Sequence, residues 1–319
     1  MTGSVPADPL QRAVDALRRG GIVAVPTETV YGLAADATDG QAVARVFEAK
    51  GRPQFNPLIV HVADRAMADQ IAAFDALSAA LADRFWPGPL TLVLPLKEDT
   101  AIHPLVTAGL TTVALRMPQG PALEVMSKLQ RPIAAPSANT SGRISPTSAQ
   151  AVHDDLGTKL DFILDGGPTQ VGLESTIVKV EGGTIRLLRP GGITAEEIEK
   201  AVGQTVTSAG ARPAIEAPGM LASHYAPAAA VRLEAEALQP GEALLAFGNS
   251  RIAGADDALA VRNLSPSGDL REAAANLYAH LQALDRCGAG MIAVETIPQH
   301  GLGVAINDRL SRAAAPRGK

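Results

Sequence analysis

Short continuous apolar runs alternate with stretches whose apolar positions recur every three or four residues, the pattern of strands interleaved with helices. Near the start, Asp8 stands at an N-cap position and Pro9 at the first helical one. Leu10, Ala13, Val14 and Leu17 then share one face, so a helix is predicted, stopped by Gly20 and Gly21. The apolar run 22–25 reads as a strand that leads directly into the polar stretch PTETVYGL at 26–33, taken as a loop at a strand end. Further strands are predicted at 58–62, 90–94, 113–116, 133–135, 162–164, 176–180 and 185–188. Helical spacing lies between several of them. Leu77, Leu81 and Phe85 repeat every four residues over 75–85, and Ser-Pro-Thr opens a helix expected over 145–153.

The pattern changes after about residue 203. Residues 205–227 hold three prolines and show no period, as expected of a linker. Beyond it, strands are predicted at 231–233, 243–247 and 291–296. A helix from 269 to about 287 would turn Leu270, Ala273, Ala274, Leu277, Leu281 and Leu284 to one side, and a last helix covers 304–312. The expected layout is a mixed-sheet α/β domain at 1–203, a linker at 204–228 and a small β/α domain at 229–319.

Composition supports a packed interior: 46% of residues are apolar and the mean hydropathy is +0.11. With only 3% aromatic residues, that interior must be built from Ala, Val, Leu and Ile. A net charge of −5 argues against broad electrostatic capture of nucleic acid, which needs a basic face. The single cysteine, Cys287, excludes an intrachain disulfide framework and a cysteine-cluster zinc site. No basic-then-apolar leader opens the chain and no run of eighteen apolar residues occurs, so a cytoplasmic protein without a membrane span is expected.

The chain contains no GxxxxGK[ST] phosphate loop, so any nucleotide site must be built otherwise. The GxG at Gly301 and Gly303 has Ile306 where a dinucleotide fingerprint needs its third glycine. Four polar blocks remain. In PTETVYGL, Thr27, Thr29 and Tyr31 offer hydroxyls and Gly32 allows close backbone approach, although threonines also close ordinary turns. In KGRPQFNPLIVHV, Lys50 supplies a point charge and Arg52 a planar fork, a pairing suited to polyphosphate or to a solvated surface. His61 sits in the following apolar strand, as a substrate ligand or a core histidine. PSANTSG concentrates short hydrogen-bonding side chains after a strand, suited to a nucleotide or to a capped turn. GLESTIVKV and LLRPGG bring Glu174, Ser175 and Arg189, and Arg116 ends the strand before MP as a cation fit for a carboxylate.

Taken in order, PTETVYGL, KGRPQFNPLIVHV, FWPGPLTLVL, PSANTSG, GLESTIV and LLRPGG resemble the YrdC-like family of threonylcarbamoyl-AMP synthases over residues 8–203. PGMLASHYAP at 218–227 resembles the linker of that family's longer two-domain branch. The resemblance implies an α/β fold: a YrdC-like twisted mixed sheet with flanking helices, plus a smaller Rossmann-like β/α C-terminal domain. It implies an ATP-dependent nucleotidyltransferase that joins L-threonine, bicarbonate or CO2, and ATP into threonylcarbamoyl-AMP, for tRNA modification next to the anticodon.

Carried over by position, Thr29, His61, Arg116, Ala135 and Ser175 would hold L-threonine. Lys50, Arg52, Asn56, Thr112, Ser137, Asn139, Ser145, Arg189 and Tyr225 would hold ATP, with Lys50 and Arg52 the catalytic pair and Tyr225 part of a lid. Mg²⁺ would arrive with ATP. Downstream tRNA threonylcarbamoyl-transfer enzymes and a weak tRNA contact are the implied partners. Three rivals are a double-stranded-RNA-binding or regulatory protein of the same fold, a carbamoyl-transfer domain of hydrogenase maturation, and a homologue without synthase activity. The acidic balance, the single cysteine, and the intact Lys50-x-Arg52 and PSAN blocks count against them in turn.

Overall fold

Residues 22–25 are apolar without alternation because both faces of their strand are covered. Val23 and Val25 pack into one buried cluster with helices Pro9–Arg18 and Pro121–Leu129, while Ile22 and Ala24 join the larger cluster on the other face. The computed structural model describes residues 8–208, 216–218 and 224–316. As anticipated, Asp8 caps the first helix, accepting from the Leu10 amide at 3.1 Å.

The large sheet contains β1 (Val23–Pro26), β2 (Tyr31–Asp36), β3 (Ile59–His61), β4 (Leu90–Pro95), β5 (Thr112–Arg116), β6 (Ile133–Ala134), β7 (Phe162–Ile163), β8 (Thr176–Glu181), β9 (Thr184–Arg189) and β10 (Val206–Ser208). Its strand order is β10-β9-β8-β4-β5-β3-β6-β2-β1-β7, with parallel and antiparallel neighbours mixed. Parallel pairing of β3 with β5 sets His61 beside Arg116. A smaller, wholly parallel sheet follows: β11 (Ala230–Arg232), β12 (Ala243–Ala246), β13 (Val261–Asn263) and β14 (Met291–Val294), in the order β11-β14-β12-β13. Helices Leu270–Asp285 and Leu302–Ala314 pack on it, as their periodicity predicts.

Three differences from the sequence reading matter. The stretch read as a loop at 26–33 is the turn of a hairpin, with Val23 paired to Ala34 and Pro26 to Tyr31. Nothing in YGLAAD alternates, so its pairing was silent. The helix expected from residue 145 begins at Ala149 with Ser148 as cap, because Pro146 O accepts the Tyr31 amide and Ser145 is engaged elsewhere. Within the predicted linker, Val206–Ser208 pairs in parallel with β9, so the large sheet runs past residue 203. Linker residues 209–215 and 219–223 lie outside the described residues.

The two domains share one apolar cluster. Val30, Ile144 and Leu173 from the first pack with Leu277, Tyr278, Ile306 and Leu310 from the second, around Tyr225. Gly172 makes this contact possible, since a Cβ there would stand 2.4 Å from Ala274 O.

Candidate active site

A small cavity opens between the β1–β2 turn, the ends of β3 and β5, the PSAN loop and the segment at 224–225. Thr29, Arg52, His61, Arg116, Ala135, Ser137, Ser175, Arg189 and Tyr225 all line it, so blocks far apart in the chain converge. Thr27, Gly32, Glu174 and His224 complete much of the wall.

The turn is organised by hydroxyls. Thr27 Oγ1 donates to Val30 O at 2.8 Å and lies 2.8 Å from Thr29 Oγ1. With the Thr27 proton spent on that carbonyl, the Thr29 hydroxyl is the donor of the pair. Arg116 Nη1 donates to Thr29 Oγ1 at 2.9 Å and Nε to Gly88 O at 3.2 Å, while Nη2 forms a 2.7 Å ion pair with Glu28. Beside it, both ring nitrogens of buried His61 lack a protein partner. Burial and the Arg116 charge hold the imidazole pKa well below its usual range, so it is neutral. A neutral, unpartnered histidine next to a buried guanidinium offers a donor and an acceptor to a small zwitterion.

The other end is cationic. Arg52 lies in the loop after helix Gly40–Lys50, which Gly51 ends at φ +59. Its guanidinium donates to Asn56 O at 3.2 Å and Pro57 O at 2.8 Å, and burial lowers its pKa to about 10. Arg189 donates to Ser175 O at 2.8 Å and Ser175 Oγ at 3.2 Å, and Ser175 Oγ also meets Thr91 Oγ1 at 2.7 Å. Both side-chain polar atoms of Asn56 and the Asn139 Oδ1 are buried without partners. Such atoms call for a polar partner, a water or a ligand.

Five residues carried over by resemblance do not line the cavity: Lys50, Asn56, Thr112, Asn139 and Ser145. Lys50 Nζ lies beneath the PSAN loop, donating to Ser137 O and Asn139 O, both at 2.5 Å. Burial, then the Arg52 charge, depress its pKa. Its contact with the site is therefore through the loop it shapes. Ser145 Oγ donates to Glu174 at 2.5 Å, and Asn139 Nδ2 to Thr140 O and Arg143 O at 2.9 Å. Thr112 is four residues from Arg116 along β5, roughly 13 Å away on the same face. Between them, Ala114 packs with Ile59, Ile177 and Leu188 under Ala217 of the linker. The linker thus covers the face along which an elongated ligand would extend, and Arg189 Nη1 reaches Pro218 O at 3.4 Å.

Sequence reasoning missed Glu28, His224 and the second-domain residues Tyr278 and Arg309, which bond to Glu174. His224 adjoins Tyr225 in the quoted HYAP segment. Arg309 had no local signal.

Comparison with known families gives two matches. The Sua5/YciO/YrdC family, described as "Telomere recombination", matches residues 15–191, and the threonylcarbamoyl-AMP synthase C-terminal domain matches residues 193–315. The threonylcarbamoyl-AMP synthase of Bacillus subtilis is 42% identical, covering 97% of this chain and 93% of its own. That of Pyrococcus abyssi is 42% identical, covering 94% and 92%. The crystal structure of P. abyssi Sua5 complexed with L-threonine superposes with a TM-score of 0.86 at 40% identity, covering 96% of this chain and 94% of the other.

Proposed function

The chain belongs to the Sua5/YciO/YrdC family in its two-domain threonylcarbamoyl-AMP synthase form, and we propose that its buried cavity activates the carbamate of L-threonine with ATP. It is an ATP-using enzyme of the nucleotidyltransferase type. The observation that carries the reading is the pairing of neutral, unpartnered His61 and Arg116 at one end with buried Arg52 and Arg189 at the other. One end suits an amino acid and the other a polyphosphate.

In this reading Arg116 and Thr29 receive the threonine carboxylate, with His61 beside its amine or hydroxyl. Threonine's amine attacks bicarbonate or dissolved CO2, giving the carbamate, with loss of water in the bicarbonate case and of an amine proton to solvent in the CO2 case. A carbamate oxygen then forms a bond to the α-phosphorus of ATP as the bond to pyrophosphate breaks. That displacement needs alignment and charge neutralisation more than a protein nucleophile. Arg52 and Arg189 supply the charge, and Lys50 holds the loop carrying Ser137 and Asn139. Asn56 and Ser145 complete the nucleotide side, and Thr112 meets its far end.

Mg²⁺ would enter on the triphosphate, adding charge neutralisation to the leaving group. Glu174 already accepts from Ser145, Tyr278 and Arg309, and Glu28 is paired with Arg116. Among the described residues no acidic or histidine cluster forms a separate cage. The donor set therefore fits a metal held by phosphates and water. Residues 224–227 would close the site and shield a hydrolysable adenylate from water before it passes to a tRNA-modifying acceptor enzyme, with a weak tRNA contact. A cytoplasmic setting follows from that role, and no described helix is long and apolar enough to cross a membrane.

The test is pyrophosphate release from MgATP with and without L-threonine and bicarbonate, with products followed by mass spectrometry. Release that needs both co-substrates, with a threonylcarbamoyl-adenylate mass, is expected. Folded protein that releases none would return the double-stranded RNA-binding or regulatory reading.

A further inference from the structure

Glu174 lines the cavity, yet most of its partners come from the other domain. Tyr278, on helix Leu270–Asp285, donates its O–H across both carboxylate oxygens at 2.8 and 3.0 Å. Arg309, on helix Leu302–Ala314, donates Nε to Oε2 at 2.9 Å. From the catalytic side, Ser145 Oγ donates to Oε1. Arg309 is 0% exposed, a cation carried wholly inside the protein. Its Nη1 pairs with Asp308 at 2.7 Å, and its guanidinium carbon lies 5.0 Å from the centre of the Tyr225 ring.

Tyr225 stacks on Tyr278 at 5.8 Å and sits at φ +62, a conformation a bulky residue keeps only when its surroundings hold it. The backbone on either side is also tied to both domains. The His224 amide donates to Arg312 O, the Ala226 amide to Gly142 O, and the Ala228 and Ala229 amides to Asp285.

These contacts make one unit of the wall and the cover of the cavity. A carboxylate buried without a cation would take up a proton and could then donate to Ser145 as well as accept from it, leaving the direction of that bond unset. With Arg309 and Arg189 nearby, Glu174 stays ionised, its pKa about 2 despite burial. The Ser145 proton is then committed to Glu174, and its lone pairs are what it offers a ligand. We propose that Arg309 is a positioning residue of the active site: docking of the C-terminal domain inserts it behind Glu174 and against Tyr225. The orientation of Ser145 and the seating of residues 224–227 are thereby set together. What the pocket turns over rests on the synthase reading; the coupling between domains does not.

The test uses the full-length protein in two variants. Arg309→Lys keeps the charge and loses the planar fork. The double variant Glu174→Gln/Arg309→Gln removes both charges of the pair while leaving hydrogen-bonding amides, so neither member of the pair is left as a lone buried charge. Hydrogen–deuterium exchange without ligand is followed over residues 224–229 and over core strand β4, then KM for ATP and for threonine is measured from pyrophosphate release. Expected in both variants is at least tenfold faster exchange at 224–229 with β4 unchanged. KM for ATP rises at least tenfold, more than KM for threonine, with Arg309→Lys the milder. Wild-type exchange at 224–229 and wild-type KM for ATP in either folded variant overturns the proposal. Exchange rising equally at both segments in both variants also overturns it, since it reveals a general structural role. A wild-type protein that releases no pyrophosphate, while exchange at 224–229 responds to the variants, defeats the synthase reading and leaves the coupling standing.

Discussion

Arg116 Nη2 lies 2.7 Å from the Glu28 carboxylate, and both side chains are buried at the mouth of the β1–β2 turn. The cation that faces the proposed amino-acid end is therefore held before any ligand arrives. Glu28 Oε2 also accepts the Gln119 amide at 3.0 Å, so the pair is braced from a third segment.

Replacing Arg116 by Lys should keep the charge and lose the three-way fork to Gly88, Thr29 and Glu28. KM for threonine is expected to rise at least tenfold, with KM for ATP little changed. Arg116→Ala leaves Glu28 buried and unpaired and should cost about 3–5 kcal/mol of stability. Steady-state pyrophosphate assays and urea denaturation check the two effects.

Lys50→Ala should abolish turnover and also loosen the PSAN loop. Two carbonyls, Ser137 O and Asn139 O, lose their buried donor, at about 1–3 kcal/mol each. A lower melting temperature should accompany the loss of activity. An inactive variant that melts like the wild type would mean that the ammonium acts on substrate alone.

Gly172→Ala should separate the domains. The glycine has φ +72, and an added Cβ would meet the backbone of Ala274 and Ala275 at 2.4–2.6 Å. Backbone at that distance cannot yield by a rotamer change, so destabilisation of about 2 kcal/mol or more is expected. Calorimetry should show the unfolding profile broader than that of the wild type, or split, as the smaller domain melts first.

His224 predicts an acid-labile cover. Burial, opposed in part by Glu174 and reinforced by Lys50, Arg52 and Arg189, pushes its pKa down to about 3. Between that value and the ordinary 6.5, an opened His224 binds a proton that the seated one does not. Seating is therefore strongest above pH 6.5 and weakens as pH falls toward 3. Protection factors at residues 224–229 should drop from pH 7 to pH 5 relative to β4. His224→Asn should flatten that difference.

Local pattern carried much of the architecture. The strands at 90–95, 112–116, 176–181 and 184–189 and the helix opened by Asp269 were legible because burial on one or both faces imposes apolar periodicity. The hairpin strand Tyr31–Asp36 was not, since YGLAAD gains its strand character from pairing with Val23–Pro26 on one edge and Ile133–Ala134 on the other.

Which residue types the site would use was written in the chain, because phosphate and carboxylate recognition needs Lys, Arg and hydroxyls, and these cluster in PTETVYGL, KGRPQFN and PSANTSG. Tertiary structure alone decided how each is employed. It turned Lys50 beneath a loop, paired Arg116 with Glu28, and brought Arg309 to Glu174 from 135 residues away. A hydrogen bond is formed by proximity in space, and local sequence encodes the groups able to make it but not the partner they meet.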